Sequence, residues 1–408
     1  MGTSLNELPE DWEEKELGRC ASYLNGYAFK PADWRSYGIP IIRIEQLNDP
    51  DAKQDYYDKQ LPDRFVLKNG DLVFSWSATL SLKLWDRGKA YLNQHLFKVV
   101  PVNNVDKVFL KYLIEFNLDR LAGETHGSTM KHITRPHLLN YKVRMPRSFN
   151  EQKRIAAVIQ KIDEVIDRSK ALVEKLKRIK KGLMQDLLTK GVNDDPFKSS
   201  ELGKIPDSWK VATLRRLIIS HQAGIYKKAD LYGDGHNIVG VSDLYYHESI
   251  DGQIFRLVSL SPEELSQYTL KDGDIIYGES SLVLEGIAKS LHVTFKGGGT
   301  AFAWHTRRLV VNKELADPEF LHYLLDSESV RKRIVAVATQ TALTGITTND
   351  FFRVKVVLPP LKEQVRIRDY IRSAIMRIHG EQSYLDKVIK IKTGLMRDLL
   401  TGKVRVLT

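Results

Sequence analysis

A helical run over residues 148–191 returns at the end of the chain, over residues 360–402, and this duplication restricts the possible folds more than any other feature. At a constant offset of 212 positions, Glu151-Gln152 matches Glu363-Gln364, Arg154-Ile155 matches Arg366-Ile367, and Gly182-Leu183-Met184 matches Gly394-Leu395-Met396. Asp186-Leu187-Leu188-Thr189 matches Asp398-Leu399-Leu400-Thr401 in the same way. In the first copy Ile155, Ile159, Ile162, Ile166, Val173, Leu176, Ile179, Leu183 and Leu187 fall mostly three or four apart and line one stripe of an α-helix. In the second the stripe is Ile367, Ile371, Ala374, Ile378, Leu385, Val388, Ile391, Leu395 and Leu399, with Ser169 and Glu381 at the same polar step of each copy. So narrow a stripe is that of a coiled-coil seam, and about 40 residues rising 1.5 Å each extend about 60 Å. Either helix alone would leave its seam in water, so the two copies are expected to pack against each other.

The helix ends are marked as well. Ser148 with Glu151 three positions on is a capping box, Pro360 stands where a first-turn proline is tolerated, and Gly191 and Gly402 stand where a left-handed C-terminal residue is expected.

The duplication reaches beyond the helices. Leu8-Pro9-Glu10-Asp11-Trp12 returns as Ile205-Pro206-Asp207-Ser208-Trp209. Each copy then holds an isoleucine-rich strand candidate (39–44 and 237–241) and a turn entering a strand, Asn69-Gly70-Asp71-Leu72-Val73-Phe74 and Asp272-Gly273-Asp274-Ile275-Ile276-Tyr277. A short helix candidate follows (109–113 and 320–324), then a strand that reaches Pro146 or Pro359. The predicted order is a globular domain over residues 1–147, a long helix over 148–191, a polar linker over 192–204, a second domain over 205–359, and a second long helix with its tail over 360–408. A chain of 408 residues, 42% apolar, is long enough for two such cores in an α+β fold with a pseudo-twofold repeat.

The net charge of +11 favours a polyanionic partner. The single cysteine, Cys20, excludes a disulfide framework and a cysteine-based zinc cluster, and the acidic N-terminal stretch lacks the pattern of a signal peptide. No apolar run approaches a membrane span, so a cytoplasmic setting is expected. The chain carries no phosphate-binding loop, no dinucleotide fingerprint, no His-Glu-x-x-His and no Gly-x-Ser-x-Gly. It also lacks the Asn/Asp-Pro-Pro-aromatic run with which amino-methyltransferases hold an exocyclic amine. Neither catalysis nor a bound metal or cofactor is expected of this chain.

The domains do offer polar, basic and aromatic loops beside strand ends. In the first these loops carry Ser75, Trp76, Ser77, Lys83, Arg87, His95, Ser128, Thr129, Lys131 and His132. In the second they carry Tyr226, Lys227, Lys228, Ser280, Ser281, Lys289, Lys296, Trp304, His305, Thr344 and Thr347. Lysine and arginine suit phosphates and guanine edges, asparagine and glutamine suit adenine edges, and serine, threonine and small apolar groups suit thymine methyls or phosphates. For Trp76 and Trp304 the competing role is packing, and for His95 and His305 it is a structural hydrogen bond.

Taken together, LPEDW and IPDSW, NGDLVFSW and DGDIIYGE, YLNQHLFKV and GSTMKHIT, and SFNEQKRIAAVIQKID and PPLKEQVRIRDYI resemble the specificity subunits of type I restriction-modification systems along essentially the whole chain. The resemblance implies two target-recognition domains held apart by an antiparallel coiled coil of the two long helices. It implies a chain that binds double-stranded DNA and scaffolds two methyltransferase subunits, which use S-adenosylmethionine, and motor-nuclease restriction subunits. Each domain would read one half of a bipartite, asymmetric site. The other class of function open to such a sequence is a coiled-coil assembly adaptor whose basic surface is incidental.

Overall fold

The computed structural model describes residues 8–123, 133–339 and 344–406. It divides into two compact units, one made of Met1–Ala171 with Gln382–Thr408 and the other of Leu172–Glu381.

The first unit opens with β1 (Trp12–Glu16), the single turn α1 (Leu17–Cys20) and β2 (Ala21–Asn25). There follow β3 (Ile39–Ile42), α2 (Ile44–Asn48), β4 (Asp55–Tyr57), β5 (Val66–Leu67) and β6 (Leu72–Ser75). Next come β7 (Ser81–Leu84), β8 (Ala90–Leu92), β9 (Leu96–Pro101), α3 (Lys107–Gly123), α4 (Arg135–Asn140) and β10 (Lys142–Pro146). The long helix α5 (Phe149–Lys190) then begins. The strands form two four-stranded sheets, in the orders β2-β9-β6-β7 and β4-β3-β8-β5, and β1 pairs antiparallel with β10. β6 is buried along its whole length: Leu72 and Phe74 join the core beneath α3, while Val73 joins a second cluster with Trp85, Leu92 and Leu96. A strand covered on both faces needs a continuous apolar run rather than an alternating one, as this sequence provides.

The second unit starts within α5 and leaves it through the hairpin of β11 (Phe197–Ser200) and β12 (Gly203–Pro206). The expected polar linker is therefore structured, because Gly203 takes φ +97° at the turn and Ser200 Oγ donates to its carbonyl at 2.7 Å. The chain continues through β13 (Lys210–Thr213), α6 (Leu214–Leu217), β14 (Ile218–Ala223), β15 (Tyr232–Val239), β16 (Ser249–Ile250), β17 (Arg256–Val258) and α7 (Pro262–Tyr268). β18 (Asp274–Gly278), β19 (Ser280–Ser281), β20 (Ser290–Val293), β21 (Ala301–Phe302) and β22 (Thr306–Val311) come next. α8 (Pro318–Asp326), α9 (Glu328–Val337), β23 (Thr344–Gly345), α10 (Thr348–Arg353), β24 (Lys355–Leu358) and α11 (Leu361–Leu400) complete the order. The sheets run β14-β22-β18-β20-β16 and β17-β15-β21, with β13 on β24. β14, β22, β18 and β20 thus repeat the order of β2, β9, β6 and β7.

The repeated motifs have structural roles. In the turns before β6 and β18, Gly70 and its counterpart Gly273 take φ +86° and +82°. Asp71 Oδ2 accepts from the Lys68 amide at 2.8 Å and pairs with Lys98 at 2.6 Å; Asp274 Oδ2 accepts from the Lys271 amide at 2.7 Å and pairs with Arg308 at 2.7 Å. The repeated Gly-Asp therefore ties a turn to the adjacent strand. Gln152 Oε1 accepts from the Asp106 amide at 2.9 Å, and its Nε2 donates to the carbonyls of Asn104 and Pro146 at 3.2 and 2.9 Å. Gln364 repeats this with the Asp317 amide at 3.0 Å and the carbonyls of Leu315 and Pro359 at 3.0 and 2.9 Å.

The long helices pack within each unit. In the first, Ile155, Ala156 and Ile159 share a core with Leu399 and Leu400, and further along Ile166 clusters with Leu385 and Val388, so the two segments run antiparallel. In the second, Leu187 and Leu188 share a core with Ile367 and Ile371. Of the other expected seam positions, Val173, Leu176 and Ile378 are buried and Ile162, Leu183 and Leu395 partly so. Ile179 and Ile391 are corrections: they are 51% and 59% exposed. At about 100° per residue, Ile179 lies about 120° around the helix from Val173, whereas Lys180 lies only about 20° away. Lys180 takes the inward step and pairs with Glu248 at 2.6 Å, and the equivalent Lys392 pairs with Asp163 at 2.6 Å.

The helix ends follow the sequence signals in part. Gly191 and Gly402 both have φ +76°. Gly402 lies against Pro9 and Trp12, and Gly191 against Trp209, so each opening tryptophan covers the end of a long helix. The Glu151 amide bonds Ser148 Oγ at 3.4 Å, but its carboxylate is held by Arg405 at 2.7 and 2.8 Å rather than closing the capping box.

Candidate nucleic-acid interface

In each unit a tight turn projects beside a glycine that directly follows the first strand of the main sheet. In the first unit the turn is Asn93-Gln94-His95, between β8 and β9. The amides of Asn93 and Gln94 donate to Ile42 and Tyr27 at 3.0 Å each, and Leu96 closes the turn onto Asn93 at 3.0 Å. In the second it is Ala303-Trp304-His305, between β21 and β22, where the amides of Ala303 and Trp304 donate to Val239 and Ile225 at 2.9 and 2.8 Å. Thr306 closes this turn onto Ala303 at 3.1 Å. A Cβ on Gly26 would lie 2.2 Å from the Leu92 carbonyl oxygen, and one on Gly224 2.0 Å from that of Ala303, so only glycine allows the two chain segments to approach.

A second point of correspondence lies next to each turn. The Ile133 amide donates to the Trp76 carbonyl at 3.0 Å, and the Ile346 amide to the Glu279 carbonyl at 3.2 Å. The side chains on this common frame differ. In the first unit Trp76 stacks on Phe97 at 5.6 Å between centroids and lies 6.1 Å from the His95 ring. Arg135 donates to Asn25 Oδ1 at 2.8 Å and to the Tyr23 carbonyl at 3.2 Å, leaving a basic, amide-rich rim around Gln94 and His95. In the second, the aromatic pair is replaced by an ion pair, Arg307 to Glu279 at 2.6 Å, and Arg307 also donates to His221 Nδ1 at 2.9 Å. Burial and the adjacent Arg307 and Arg215 lower the His221 pKa. Trp304 is 49% and Tyr226 61% exposed, with ring centroids 5.0 Å apart. His305 takes φ +63° at the turn, with its ring 3.8 Å from that of Trp304.

Several sequence-selected residues face inward. Ser75, Ser281 and Thr344 are buried: Ser75 Oγ donates to the Ser77 carbonyl, and Ser281 Oγ accepts from Tyr245 at 2.8 Å while donating to Val283 at 2.6 Å. The two serine hydroxyls are used within the fold, and burial removes all three residues from the candidate surface. Lys227 is held by Glu264 at 2.6 Å, Lys289 by Asp326 at 2.5 Å, and Arg87 by the Gln46 carbonyl at 2.6 Å and the Trp85 ring. Thr347 caps α10 by accepting from the Asp350 amide at 3.1 Å. Lys228, Lys296 and His95 are exposed; Trp76, Ser77, Lys83 and Ser280 are half-buried. Ser128, Thr129, Lys131 and His132 lie outside the described residues. Sequence reasoning missed Asn25, Arg135, His221 and Arg307; the paired glycines Gly26 and Gly224 were the available signal for Asn25.

Two copies of the type I restriction modification DNA specificity domain match this sequence, over residues 9–178 and 206–384. The chain belongs to that family. It is 28% identical over 410 residues to the type I restriction enzyme MjaVIII specificity subunit of Methanocaldococcus jannaschii, covering 98% of this chain and 94% of the relative. It is 24% identical to the EcoBI specificity subunit of Escherichia coli, covering 95% and 82%. The fold is similar to the crystal structure of the type I restriction-modification S subunit from M. genitalium, with a TM-score of 0.58, 12% identity and all of both chains covered.

Among the described residues, no group of three or more His, Cys, Asp and Glu side chains could hold a metal ion. No helix among them is long and apolar enough to cross a membrane.

Proposed function

We propose that this specificity subunit recognises a bipartite, asymmetric site in double-stranded DNA, each unit reading one half-site through its turn platform. The observation that carries this reading is the correspondence of the two platforms in backbone hydrogen bonds together with their divergence in side chains. A shared frame positions the readers in the same way, and different readers select different bases. Gln94, His95, Asn25 and Arg135 supply hydrogen-bonding groups in one unit; Trp304, Tyr226 and His305 supply a chiefly aromatic surface in the other.

In this reading the long helices form an antiparallel coiled coil between the two recognition domains, supported by the antiparallel packing inside the first unit. Two methyltransferase subunits carry the S-adenosylmethionine chemistry and flip the target adenine, motor-nuclease subunits join them, and this chain catalyses nothing. Its setting is the cytoplasm. Titration of labelled duplex with the assembled methyltransferase complex at increasing salt tests the reading: log K should fall linearly with log salt and favour one bipartite sequence. Binding without salt dependence or sequence preference would favour the assembly-adaptor function instead.

A further inference from the structure

The hairpin joining β18 to β20 is longer than its counterpart between β6 and β7, and the extension carries Ser281-Leu282-Val283. Leu282 is 90% exposed and Val283 55%. An apolar tip of this kind on a loose loop would fold back onto the surface, but this loop is braced from both sides. Tyr245 Oη donates to Ser281 Oγ at 2.8 Å and lies 3.2 Å from the Gly286 carbonyl oxygen, and Arg331 Nη2 donates to the carbonyls of Glu285 and Ile287 at 2.7 and 2.5 Å. A Cβ on Gly286 would lie 2.6 Å from both Tyr245 Oη and Ser281 Oγ, so the glycine permits the brace. The loop is rooted at the turn platform: the Glu279 amide donates to the His305 carbonyl at 2.8 Å, and β19 pairs with β23.

We propose that Leu282 is an apolar wedge that enters the edge of the base stack in the half-site read by the second unit and opens one base step there. The proposal rests on the DNA-reading function above. Rigid apolar side chains act in this way at partly unstacked steps, where hydrophobic contact with base faces replaces base stacking. The bracing fixes the loop backbone on both sides of Leu282 before binding, so less ordering is needed on contact.

The test uses the full chain with its methyltransferase subunits, without S-adenosylmethionine, and duplexes of its methylated site carrying single 2-aminopurines through the second half-site. Wild type should raise fluorescence at one step other than that of the methylated adenine. Leu282→Ala should abolish that rise and weaken specific binding about tenfold, leaving base selection in the first half-site unchanged, while Leu282→Met should retain the rise. Equal fluorescence and affinity for wild type and Leu282→Ala would overturn the wedge. So would altered selection of a single thymine with no unstacked step, which marks a methyl contact instead. Absence of specific binding by the wild-type complex would overturn the reading beneath the wedge, and the wedge with it.

Discussion

Single side chains joining distant segments hold each unit together, and the paired glutamines show this most directly. Gln152 completes three hydrogen bonds to backbone groups at the start of α3 and the end of β10. Gln152→Ala leaves those groups without their partner in a buried site and should cost roughly 2–4 kcal/mol, measured as a lower urea midpoint. Gln364→Ala should cost a similar amount in the second unit. His322 offers a test with pH. It is buried with Nδ1 3.1 Å from Ser290 Oγ, and burial pushes its pKa down to about 4. The unfolded chain takes up the proton near pH 6.5, so the stability His322 protects is complete above that value and is lost as pH falls toward 4, by roughly 3 kcal/mol. Urea unfolding at pH 7 and pH 4.5 should therefore show a larger loss for wild type than for His322→Asn, and equal losses would contradict the assignment. The glutamines were visible in the sequence as a repeated pair, but their partners were not. Backbone groups, two of them 46 and 48 residues away from Gln152, leave no trace in residue type. For the same reason Ser75 and Ser281 read as binding residues from composition, although their hydroxyls are satisfied inside the fold.

At the scale of elements, the helical stripe was legible because burial of one face imposes a spacing of three and four, and the capping glycines were legible because φ near +76° favours that residue. The stripe was misread at one step in each copy. Isoleucine marked Ile179 and Ile391, but helix geometry turns Lys180 and Lys392 inward, where ion pairs satisfy their charges. The two readings give opposite results on mutation. Ile159 is fully buried, so Ile159→Asp places an unpaired carboxylate in the first core and should destabilise that unit by several kcal/mol. Ile179→Asp should change stability by less than about 0.5 kcal/mol, as at other exposed helix positions. Circular dichroism melts of the two variants separate these outcomes. The turn platforms were half legible: His95, Trp304 and His305 stood out in polar and aromatic loops, whereas the alignment of the two turns came from backbone bonds that sequence matching does not display.

At the scale of the whole molecule, duplication was the most legible property, since one frame written twice leaves matched motifs at matched positions while the loops between them diverge. If the loops read DNA, a change in one platform should act on one half-site. Trp304→Ala should weaken selection in a single half-site by about 1–3 kcal/mol and leave the other unchanged, as read by selection from a randomised duplex library. The central claim is that two units of one chain read two separate halves of one site. Its most direct test is to map methylated adenines, by sequencing, in cells carrying this chain with its methyltransferase subunits, and again after residues 205–359 are exchanged for the corresponding domain of a relative. The account predicts two specified segments around an unspecified gap, of which the exchange alters one. A single uninterrupted motif, or an exchange that alters both segments, would contradict it.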